Sequence, residues 1–315
     1  MDAQVAASPT EELFRSERRR VWGLAYRLTG NTADADDVVQ EAFARLLERP
    51  PPAAQPVRAW LLRVALNLSL DALRRRRRRA YPGPWLPAPA ERSDADWLES
   101  FASPEPDAEV RYGLLESASF AFLVALEALG PRERAVLLLR DALGWSAAET
   151  AGLLGIREGN ARVIHLRARR ALDGYDRARC VVTPELRERH RAVLERFLAA
   201  LFAQDSQAVE SMLAESVATE TDAGGAYTAL TTRVSGRARV ARFYLSAALM
   251  RRDGEPRIEV RLVNGLPAAL IQLGRPVRRQ APRSVLRLEL DAEGQISAIQ
   301  TVLAPKKLSA IAFPV

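Results

Sequence analysis

Residues 146–172 read SAAETAGLLGIREGNARVIHLRARRAL and combine the signals of two helices joined by a glycine turn. Ser146 followed by Glu149 is a capping-box pattern, which predicts a helix start ahead of the apolar residues of 147–154. Gly155 supplies a tight turn, and a second helix is expected directly after it. A short helix, a glycine-containing turn and a basic second helix together predict a helix-turn-helix.

The second of these helices has one apolar and one basic face. Its apolar residues recur at helical spacing, at Ala161, Ile164, Ala168 and Leu172. The opposite face carries Arg157, Asn160, Arg162 and Arg167. Asn and Arg offer the bidentate donor patterns that read base edges, and Arg also binds phosphates. The sequence therefore favours a DNA-binding face here over a solvated helical hairpin with surface arginines.

Residues 11–80 predict an all-helical domain of three helices. The first ends at Gly30, and the second begins at Asn31 or Thr32 with acidic residues in its first turn. The second helix is expected to bury Val39, Phe43, Leu46 and Leu47. It is expected to leave Asp37, Gln40, Glu41 and Arg45 facing outward. The third helix spans 57–79 and carries the apolar residues Trp60, Leu61, Val64, Leu68 and Leu73.

The third predicted helix ends in six consecutive arginines, Arg74 to Arg79. Asn67, Asp71 and the first of these arginines share one polar face. The charge suits the C-terminal end of a helix dipole, but repulsion among the guanidinium groups calls for an anionic partner. A solvated tail and a localisation-like basic run are alternatives. With a DNA-reading module further along the chain, phosphate contact is favoured, and each neutralised phosphate adds about 0.9 to the salt dependence of binding.

Residues 81–110 predict a linker, because they are rich in proline and carry one arginine against seven acidic residues. Two apolar islands in it, Trp85-Leu86 and Trp97-Leu98, need a docking surface. The acidic residues could lie against the arginines of the free protein, compete with DNA and hold the helical domains together. Neutralising them is then expected to raise the affinity of the free protein for DNA. Residues 111–177, which contain the helix-turn-helix, predict a second all-helical domain.

The pattern changes near residue 186. A long amphipathic helix, ELRERHRAVLERFLAALFAQ, is followed by alternating segments such as RIEVRLV, AALIQL and SVLRLELD. Turn signals lie at Asn264-Gly265 and Glu293-Gly294. Residues 185–312 therefore predict an α+β domain.

Composition narrows the class of protein. The chain of 315 residues has a net charge of +7, 48% apolar residues, one cysteine and two histidines. A disulfide framework and most cysteine-based metal sites are excluded, and we expect no cofactor and no metal. No apolar run is long enough to span a membrane, and the N-terminus lacks the features of a secretory signal. We expect a cytoplasmic protein.

Three stretches together resemble the two conserved regions of extracytoplasmic-function (ECF) sigma factors. They are FRSERRRVWGLAYRLTGNTADADDVVQEAFARLLER at 14–49, VRAWLLRVALNLSLDALRRRRRR at 57–79 and LEALGPRERAVLLLRDALGWSAAETAGLLGIREGNARVIHLRARRAL at 126–172. The resemblance implies that residues 11–80 form region 2 and residues 111–177 form region 4. It also implies two partners, bacterial RNA polymerase core and promoter DNA, and no enzymatic activity.

The resemblance also implies roles for individual residues. The polymerase clamp would be contacted by Asp37, Gln40 and Glu41. The −10 element would be contacted by Trp60, Asn67, Asp71, Arg74, Arg75 and Arg78. The −35 element would be contacted by Arg157, Asn160, Arg162 and Arg167. One departure is that residues 163–165 read Val-Ile-His, more apolar than in many relatives, so that base reading would rest on Arg157, Asn160 and Arg162.

A subgroup with a C-terminal SnoaL-like domain is indicated by three further stretches. YPGPWLPAP at 81–89 is similar to the linker motif of that subgroup. TDAGGAYTA at 221–229 resembles its Asp-Gly-Gly-Gly-Lys loop without the lysine and one glycine. APKKLSAI at 304–311 resembles its Asn-Pro-Asp-Lys-Leu motif with two changes. In that subgroup the tail regulates the factor in cis, so the resemblance implies that a cone-shaped regulatory domain follows the two helical ones. The regulatory residues implied are Trp85, Leu86, Asp222 and Lys307, with Trp85 and Leu86 as a latch or simply packed on their own helical region.

Two other functions stay open at this point. A helix-turn-helix regulator that never contacts polymerase core would share the DNA-binding features, although the acidic face of 36–41 argues against it. A fusion with a SnoaL-type enzyme would need acid–base residues in a pocket. The candidates, Asp205, Glu220, Asp222 and Tyr227, form no convincing pair and are interpreted as turn and surface residues. A small ligand of the cone is compatible with the fold, but nothing in the sequence names it.

Overall fold

The computed structural model describes residues 9–79, 81–92, 114–178 and 182–314. Trp97, Leu98, Cys180 and most of the predicted acidic linker lie outside these residues. The chain divides into two units. One comprises 1–79 with 93–180, and the other comprises 80–92 with 181–315. The start of the predicted linker therefore belongs with the C-terminal unit.

The first unit begins with three packed helices, α1 (Pro9–Thr29), α2 (Thr32–Glu48) and α3 (Val57–Arg78). Gly30 ends α1 in the left-handed region, at φ 65°, and its amide donates to the Tyr26 carbonyl at 2.7 Å. The side chain of Asn31 then caps α2 by accepting from the Ala33 amide. The two predicted helix boundaries at this corner are confirmed.

One predicted core residue of α2 is wrong. Val39, Phe43 and Leu46 are buried as expected, but the side chain of Leu47 is 68% exposed. Leu47 follows Leu46 directly and therefore points about 100° away around the helix. Two adjacent leucines on a helix point in different directions, so Leu47 cannot face the core where Leu46 already does.

The described residues of the second half of this unit include five α-helices. They are α4 (Phe120–Ala125), α5 (Pro131–Leu137), α6 (Ala147–Leu154), α7 (Glu158–Ala171) and α8 (Asp173–Ala178). After α5 the chain continues through a π-helical segment, Leu138–Ala142. The capping box is present, because the Ser146 hydroxyl accepts from the Glu149 amide and the Glu149 carboxylate accepts from the Ser146 amide. Gly155 ends α6 at φ 64°, so the predicted helix-turn-helix is confirmed.

The C-terminal unit is an α+β domain with three helices, α9 (Pro184–Ala203), α10 (Ser206–Met212) and α11 (Arg237–Arg251). Its strands are β1 (Leu213–Asp222), β2 (Val234–Ser235), β3 (Pro256–Val263), β4 (Leu266–Leu273), β5 (Arg283–Leu290) and β6 (Ile296–Val302). The sheet order is β2-β1-β6-β5-β4-β3. Only the β1–β6 pair of this sheet is parallel among the described strands.

The core of this domain lies between one face of the sheet and the helices. Phe197 of α9 and Tyr244 of α11 pack edge to face, with ring centroids 5.8 Å apart. Alternate residues of the strands, such as Leu286 and Leu288 of β5, join the same cluster. The predicted turn at Asn264-Gly265 has both residues at positive φ, 51° and 85°, as a two-residue hairpin requires. The predicted order of two helical domains followed by an α+β domain is confirmed.

Candidate functional site

All four residues predicted to contact the −35 element are exposed, Arg157 at the N-cap of α7 and the other three on its outer face. Arg157, Asn160, Arg162 and Arg167 are exposed, while Ala161 and Ala168 are fully buried on the opposite side. The Arg162 Nη2 atom lies 2.5 Å from the Glu158 Oε1 atom one turn earlier. An exposed pair of this kind contributes little to stability, so Arg162 can exchange the carboxylate for a phosphate or a base edge.

A cluster of polar side chains contacts Asp141 on one flank of α7. The His165 Nε2 atom lies 2.6 Å from the Asp141 Oδ1 atom, and the Arg169 Nε atom lies 3.0 Å from Asp141 Oδ2. Asp141 belongs to the π-helical segment before the helix-turn-helix. His165 is therefore occupied within the domain, which agrees with the expectation that base reading does not depend on it.

The predicted −10 surface lies along α3. Asn67 and Asp71 are exposed and Trp60 is half-buried at the N-terminal end of the helix. The Arg74 Nη1 atom lies 2.7 Å from the Asp71 Oδ1 atom. Arg75 and Arg78 are exposed. The residues predicted to contact the −10 element are thus distributed along one helix, with the charge gathered at its C-terminal end.

The arginine block divides into two sets, which the sequence did not indicate. Arg76 donates to the Thr29 carbonyl at 2.9 Å, and its Nη2 atom lies 2.6 Å from the Glu127 Oε1 atom. Arg77 donates to the Leu129 carbonyl at 2.9 Å. Arg76 and Arg77 therefore each have a partner outside α3, whereas Arg74 pairs with Asp71 of its own helix.

A buried arginine completes this connection between the two helical domains. Arg134 is 2% exposed and donates to the carbonyls of Leu28 at 3.0 Å and Leu126 at 2.7 Å. It also donates to the Glu127 Oε1 atom at 2.8 Å. Burial lowers the pKa of the Arg134 guanidinium, and the Glu127 carboxylate acts in the opposite direction. Glu127 thus serves two arginines from different helices.

The predicted polymerase-binding residues share one exposed surface of α2. Asp37, Gln40 and Glu41 are all exposed and lie within about one helical turn of one another. The Glu41 Oε1 atom lies 2.8 Å from the Arg45 Nε atom at the next turn. The side chains of this acidic surface are exposed and do not pack in the core. Changing their charge should therefore leave the fold intact.

The four predicted regulatory residues lie together in the C-terminal unit. Residues 81–92, called the docked segment below, pack on this domain. Asp222, at the end of β1, is 0% exposed and accepts from the Tyr81 hydroxyl at 2.5 Å and the Leu86 amide at 2.8 Å. Its Oδ2 atom lies 2.5 Å from the Lys307 Nζ atom. The docked segment is therefore tied to a buried ion pair.

The ammonium group of Lys307 interacts with the docked segment through its charge and through a hydrogen bond. Its Nζ atom lies 4.0 Å from the ring centroid of Trp85 and 4.9 Å from that of Tyr81, and it donates to the Leu86 carbonyl. A cation between two aromatic rings is attracted by their π-electron faces, most strongly when it is desolvated. Lys307 is nearly fully buried, as is Leu86.

The two glycines of the TDAGGAYTA loop allow this close approach. A Cβ atom at Gly225 would lie 2.9 Å from the Pro82 Cγ atom, and one at Gly224 would lie 3.3 Å from the Tyr81 hydroxyl oxygen. Both glycines also have positive φ, 56° and 76°. The loop lacks the family's lysine, yet Lys307 from the 304–311 motif supplies a cation to Asp222.

The far end of the docked segment is attached by backbone pairing. The Asn264 amide donates to the Ala90 carbonyl at 3.0 Å, and the Ala90 amide donates to the Asn264 Oδ1 atom at 3.1 Å. The Glu91 Oε1 atom lies 3.0 Å from the Arg261 Nη1 atom. Burial raises the pKa of the Glu91 carboxyl, and Arg261 counteracts this. The segment is therefore fixed at both ends.

The interpretation of Asp222 as an unpaired turn or surface residue is wrong. It is completely buried and paired with Lys307, which lies 85 residues further along the chain. Two residues this far apart in the sequence are not recognised as a contact unless the two motifs that contain them are considered together. Asp205 does have a local role, since it caps α10 by accepting from the Ala208 amide at 2.9 Å. Glu220 and Tyr227 are half-buried.

Three residues of structural importance were not predicted, namely Arg27, Glu127 and Arg134. Arg27 is 1% exposed and donates to the Ser117 hydroxyl at 2.8 Å and the Leu114 carbonyl at 3.0 Å. In the sequence, the signal for Arg27 was its position as a charged residue among the apolar residues on one face of the first predicted helix. Among the described residues, no helix is both long and apolar enough to cross a membrane.

Two protein-family models match the helical part of the chain. The model of Sigma-70 region 2 matches residues 13–79, which contain most of α1 and all of α2 and α3. The model of Sigma-70 region 4 matches residues 119–172, which contain the helix-turn-helix.

Whole-chain relatives extend the likeness through the C-terminal domain. The ECF RNA polymerase sigma factor SigJ of Mycobacterium tuberculosis (strain ATCC 25618 / H37Rv) is 33% identical over 305 residues, or 94% of this chain and 92% of SigJ. "Probable ECF RNA polymerase sigma factor SigI" of strain CDC 1551 / Oshkosh is 30% identical over 95% of both chains. The crystal structure of SigJ has a TM-score of 0.71 to this structure at 29% identity, covering 96% of this chain and 99% of SigJ. These relatives are transcription factors, and the chain belongs to the ECF RNA polymerase sigma factors, in the subgroup with a C-terminal SnoaL-like domain.

Proposed function

We propose that this sigma factor is regulated in cis by its C-terminal domain, which acts through the docked segment. As an ECF sigma factor it directs core RNA polymerase to specific promoters. The observation that carries the proposal is the buried pair of Asp222 and Lys307, which binds Tyr81, Trp85 and Leu86. The −10 helix α3 ends at Arg78, only three residues before Tyr81 in the chain. Release or retention of the docked segment thus changes the tether at the end of that helix.

The polymerase-binding role is assigned to the exposed acidic surface of α2. Asp37, Gln40 and Glu41 would contact a basic part of the polymerase clamp. Because all three are exposed, reversing the charge of Asp37 and Glu41 to arginine should abolish capture by core polymerase without unfolding α2. Retained capture would favour the alternative of a DNA-binding regulator that does not use polymerase.

The −10 role is assigned to α3 and the −35 role to α7. On α3 the residues are Trp60, Asn67, Asp71, Arg74, Arg75 and Arg78. On α7 they are Arg157, Asn160, Arg162 and Arg167. The support is the exposed basic character of both helices, together with the position of α7 as the second helix of a helix-turn-helix. Such a helix enters the major groove with its N-terminal residues nearest the bases.

Enzymatic activity in the C-terminal domain is the less favoured function. Asp222 is fully occupied by contacts within the chain. Tyr244 is buried and hydrogen-bonded to Thr219 at 2.8 Å and to Thr301 at 3.1 Å. Burial raises the pKa of Tyr244 to about 12, so it is a poor proton donor near neutral pH. We infer a regulatory, non-catalytic domain in a protein that works in the cytoplasm, where core polymerase is found.

The test of cis regulation is run-off transcription with bacterial core polymerase. It compares the full chain with one that stops after residue 180, each with and without the Trp85→Ala/Leu86→Ala double substitution. We expect the substitution to change transcription strongly in the full chain and weakly in the shortened one, because only the full chain contains Lys307 and Asp222. Equal changes in both chains would refute regulation through the docked segment. No initiation by either chain would contradict promoter-directed activity itself.

A further inference from the structure

Two large apolar side chains lie exposed at the centre of the DNA-facing side of α7. Val163 is 47% exposed and Leu166 is 52% exposed. At about 100° per residue, these two positions lie opposite Ala161 and Ala168, which are fully buried. They lie on the face of α7 that points away from the domain, in line with the exposed residues Gly159 and Arg170.

Charged and polar residues flank this apolar pair on both sides. Arg162 lies on one border of the face, and Asn160 and Arg167 lie on the other. The burial of Ala161, Ala168 and Leu172 on the opposite side fixes the rotation of the helix that presents the face. A narrow apolar strip between arginines suits a polyanion whose surface is charged at its edges and has apolar groups between them.

The major groove of DNA has this arrangement. Its borders are phosphates, which bind arginine, and its floor offers one apolar feature, the C5 methyl group of thymine. Water is excluded from a methyl group when an aliphatic side chain covers it. A protein partner would need an apolar pocket for both side chains and acidic groups around it to pair with the flanking arginines.

We propose that Val163 and Leu166 read thymine methyl groups in the −35 element and so determine part of its sequence. This inference rests on the proposed binding of α7 to that element. It adds specificity to the polar contacts of Asn160 and Arg162, and it explains why the apolar sequence at 163–166 is compatible with DNA binding. The bases recognised include at least one thymine on either strand under the centre of α7.

The test replaces thymine by deoxyuridine, which removes only the methyl group. The full chain with core polymerase first selects its preferred −35 element from a promoter library. Each thymine of that element is then replaced, and promoter binding and run-off transcription are measured. We expect about a fourfold loss per methyl group contacted, the factor that corresponds to about 0.8 kcal/mol for a buried group of this size.

Protein variants assign the effect to the two side chains. Val163→Ala and Leu166→Ala should each bring the thymine and deoxyuridine promoters closer to equal use, since the side chain that senses the methyl group is shortened. Both positions are exposed, so these variants should fold. The matched control is Leu249→Ala, an exposed leucine on α11, which should leave the ratio between the two promoters unchanged.

The outcomes separate this inference from the proposed −35 role. If a −35 element is selected but contains no thymine, or if all its thymines can be replaced without effect, methyl reading is overturned and the −35 role of α7 stands. If Arg162→Ala and Arg167→Ala leave use of the −35 element unchanged, the −35 role itself fails.

Discussion

The side chain of Asp222 accepts from Tyr81, Leu86, Gly224 and Lys307, and its bonds to Leu86 and Lys307 are buried. Removing one partner of a buried ion pair leaves the other charge unpaired, at a cost of about 3–5 kcal/mol. Asp222→Asn should therefore lower the free energy of unfolding of the C-terminal domain by about that amount. Lys307→Met should do the same, because Asp222 then lacks its cation.

The Asp222→Asn/Lys307→Met double variant should be less destabilised than the sum of the two single variants, since neither charge is then left alone. Hydrogen exchange of β1 and β6 measures the stability of this domain separately from the helical unit. Asp205→Asn is the matched control, because asparagine caps a helix as well as aspartate does. Additive effects of the two single substitutions would show that the pair is not energetically coupled.

His190 makes the stability of the C-terminal domain depend on pH. Burial lowers the pKa of His190 from 6.5 to about 4, and the nearby Arg287 acts in the same direction, whereas Glu289 opposes it. The unfolded chain therefore binds a proton at a higher pH than the folded chain. Stability should be constant with respect to this group above pH 6.5 and fall from pH 6.5 towards pH 4, by up to about 1.4 kcal/mol per pH unit.

The measurement for this prediction is urea unfolding of the C-terminal domain between pH 7.5 and pH 4.5, about the range over which histidine changes charge. His190→Leu should reduce the loss of stability in that range, because the buried side chain can no longer take up a proton. An unchanged pH dependence in the variant would assign the loss to other groups.

At the scale of elements, Glu127 connects the end of α3 to the helices of region 4. Its carboxylate accepts from Arg76 and from the buried Arg134. Glu127→Gln should weaken this connection by about 1–3 kcal/mol, because two charged donors lose their anionic acceptor. The expected result is faster amide hydrogen exchange in α4 and in the first turn of α5.

Glu133→Gln provides the matched control for Glu127→Gln. The change is chemically the same and lies in the same region, but Glu133 caps α5 by accepting from the Gly130 amide at 2.7 Å. Glutamine keeps that capping role. If both variants exchange at the same rate as the unchanged chain, the contact between α3 and region 4 does not stabilise α4.

Local signals predicted the elements well, because helix caps and glycine turns act within a few residues. Ser146, Glu149 and Gly155 are all within ten positions and specify the helix-turn-helix directly. The hairpin turn is likewise specified by two adjacent residues, Asn264 and Gly265. The prediction for Leu47 was wrong because helical periodicity alone does not show which of two adjacent leucines faces the core.

Contacts between distant residues could not be derived from local patterns. Asp222 and Lys307 meet because β1 pairs in parallel with β6, and the turn after β6 then lies beside the loop after β1. The resemblance to a known subgroup pointed to both residues, but their pairing depends on the sheet. The same holds for Arg76 and Glu127, 51 residues apart, since only the packing of α3 brings them together.

At the scale of the whole molecule, the positive charge is spread over both units, and only part of it is assigned to DNA. The net charge of +7 includes arginines that are satisfied within the chain, such as Arg76, Arg77 and Arg134. The salt dependence of promoter binding should depend on the number of exposed arginines on the DNA-binding helices. It should not depend on the net charge of the whole chain.

Replacing Arg74, Arg75 and Arg78 by alanine should reduce the slope of log affinity against log salt by about 2 to 3. This range follows from about 0.7 per phosphate for a single strand and about 0.9 for a duplex. The control removes the same charge from three exposed arginines of the C-terminal domain, Arg233, Arg239 and Arg242. Promoter binding by the polymerase complex is measured over a series of salt concentrations. A matching decrease in slope for both triple variants would mean that net charge, and not the end of α3, governs promoter binding.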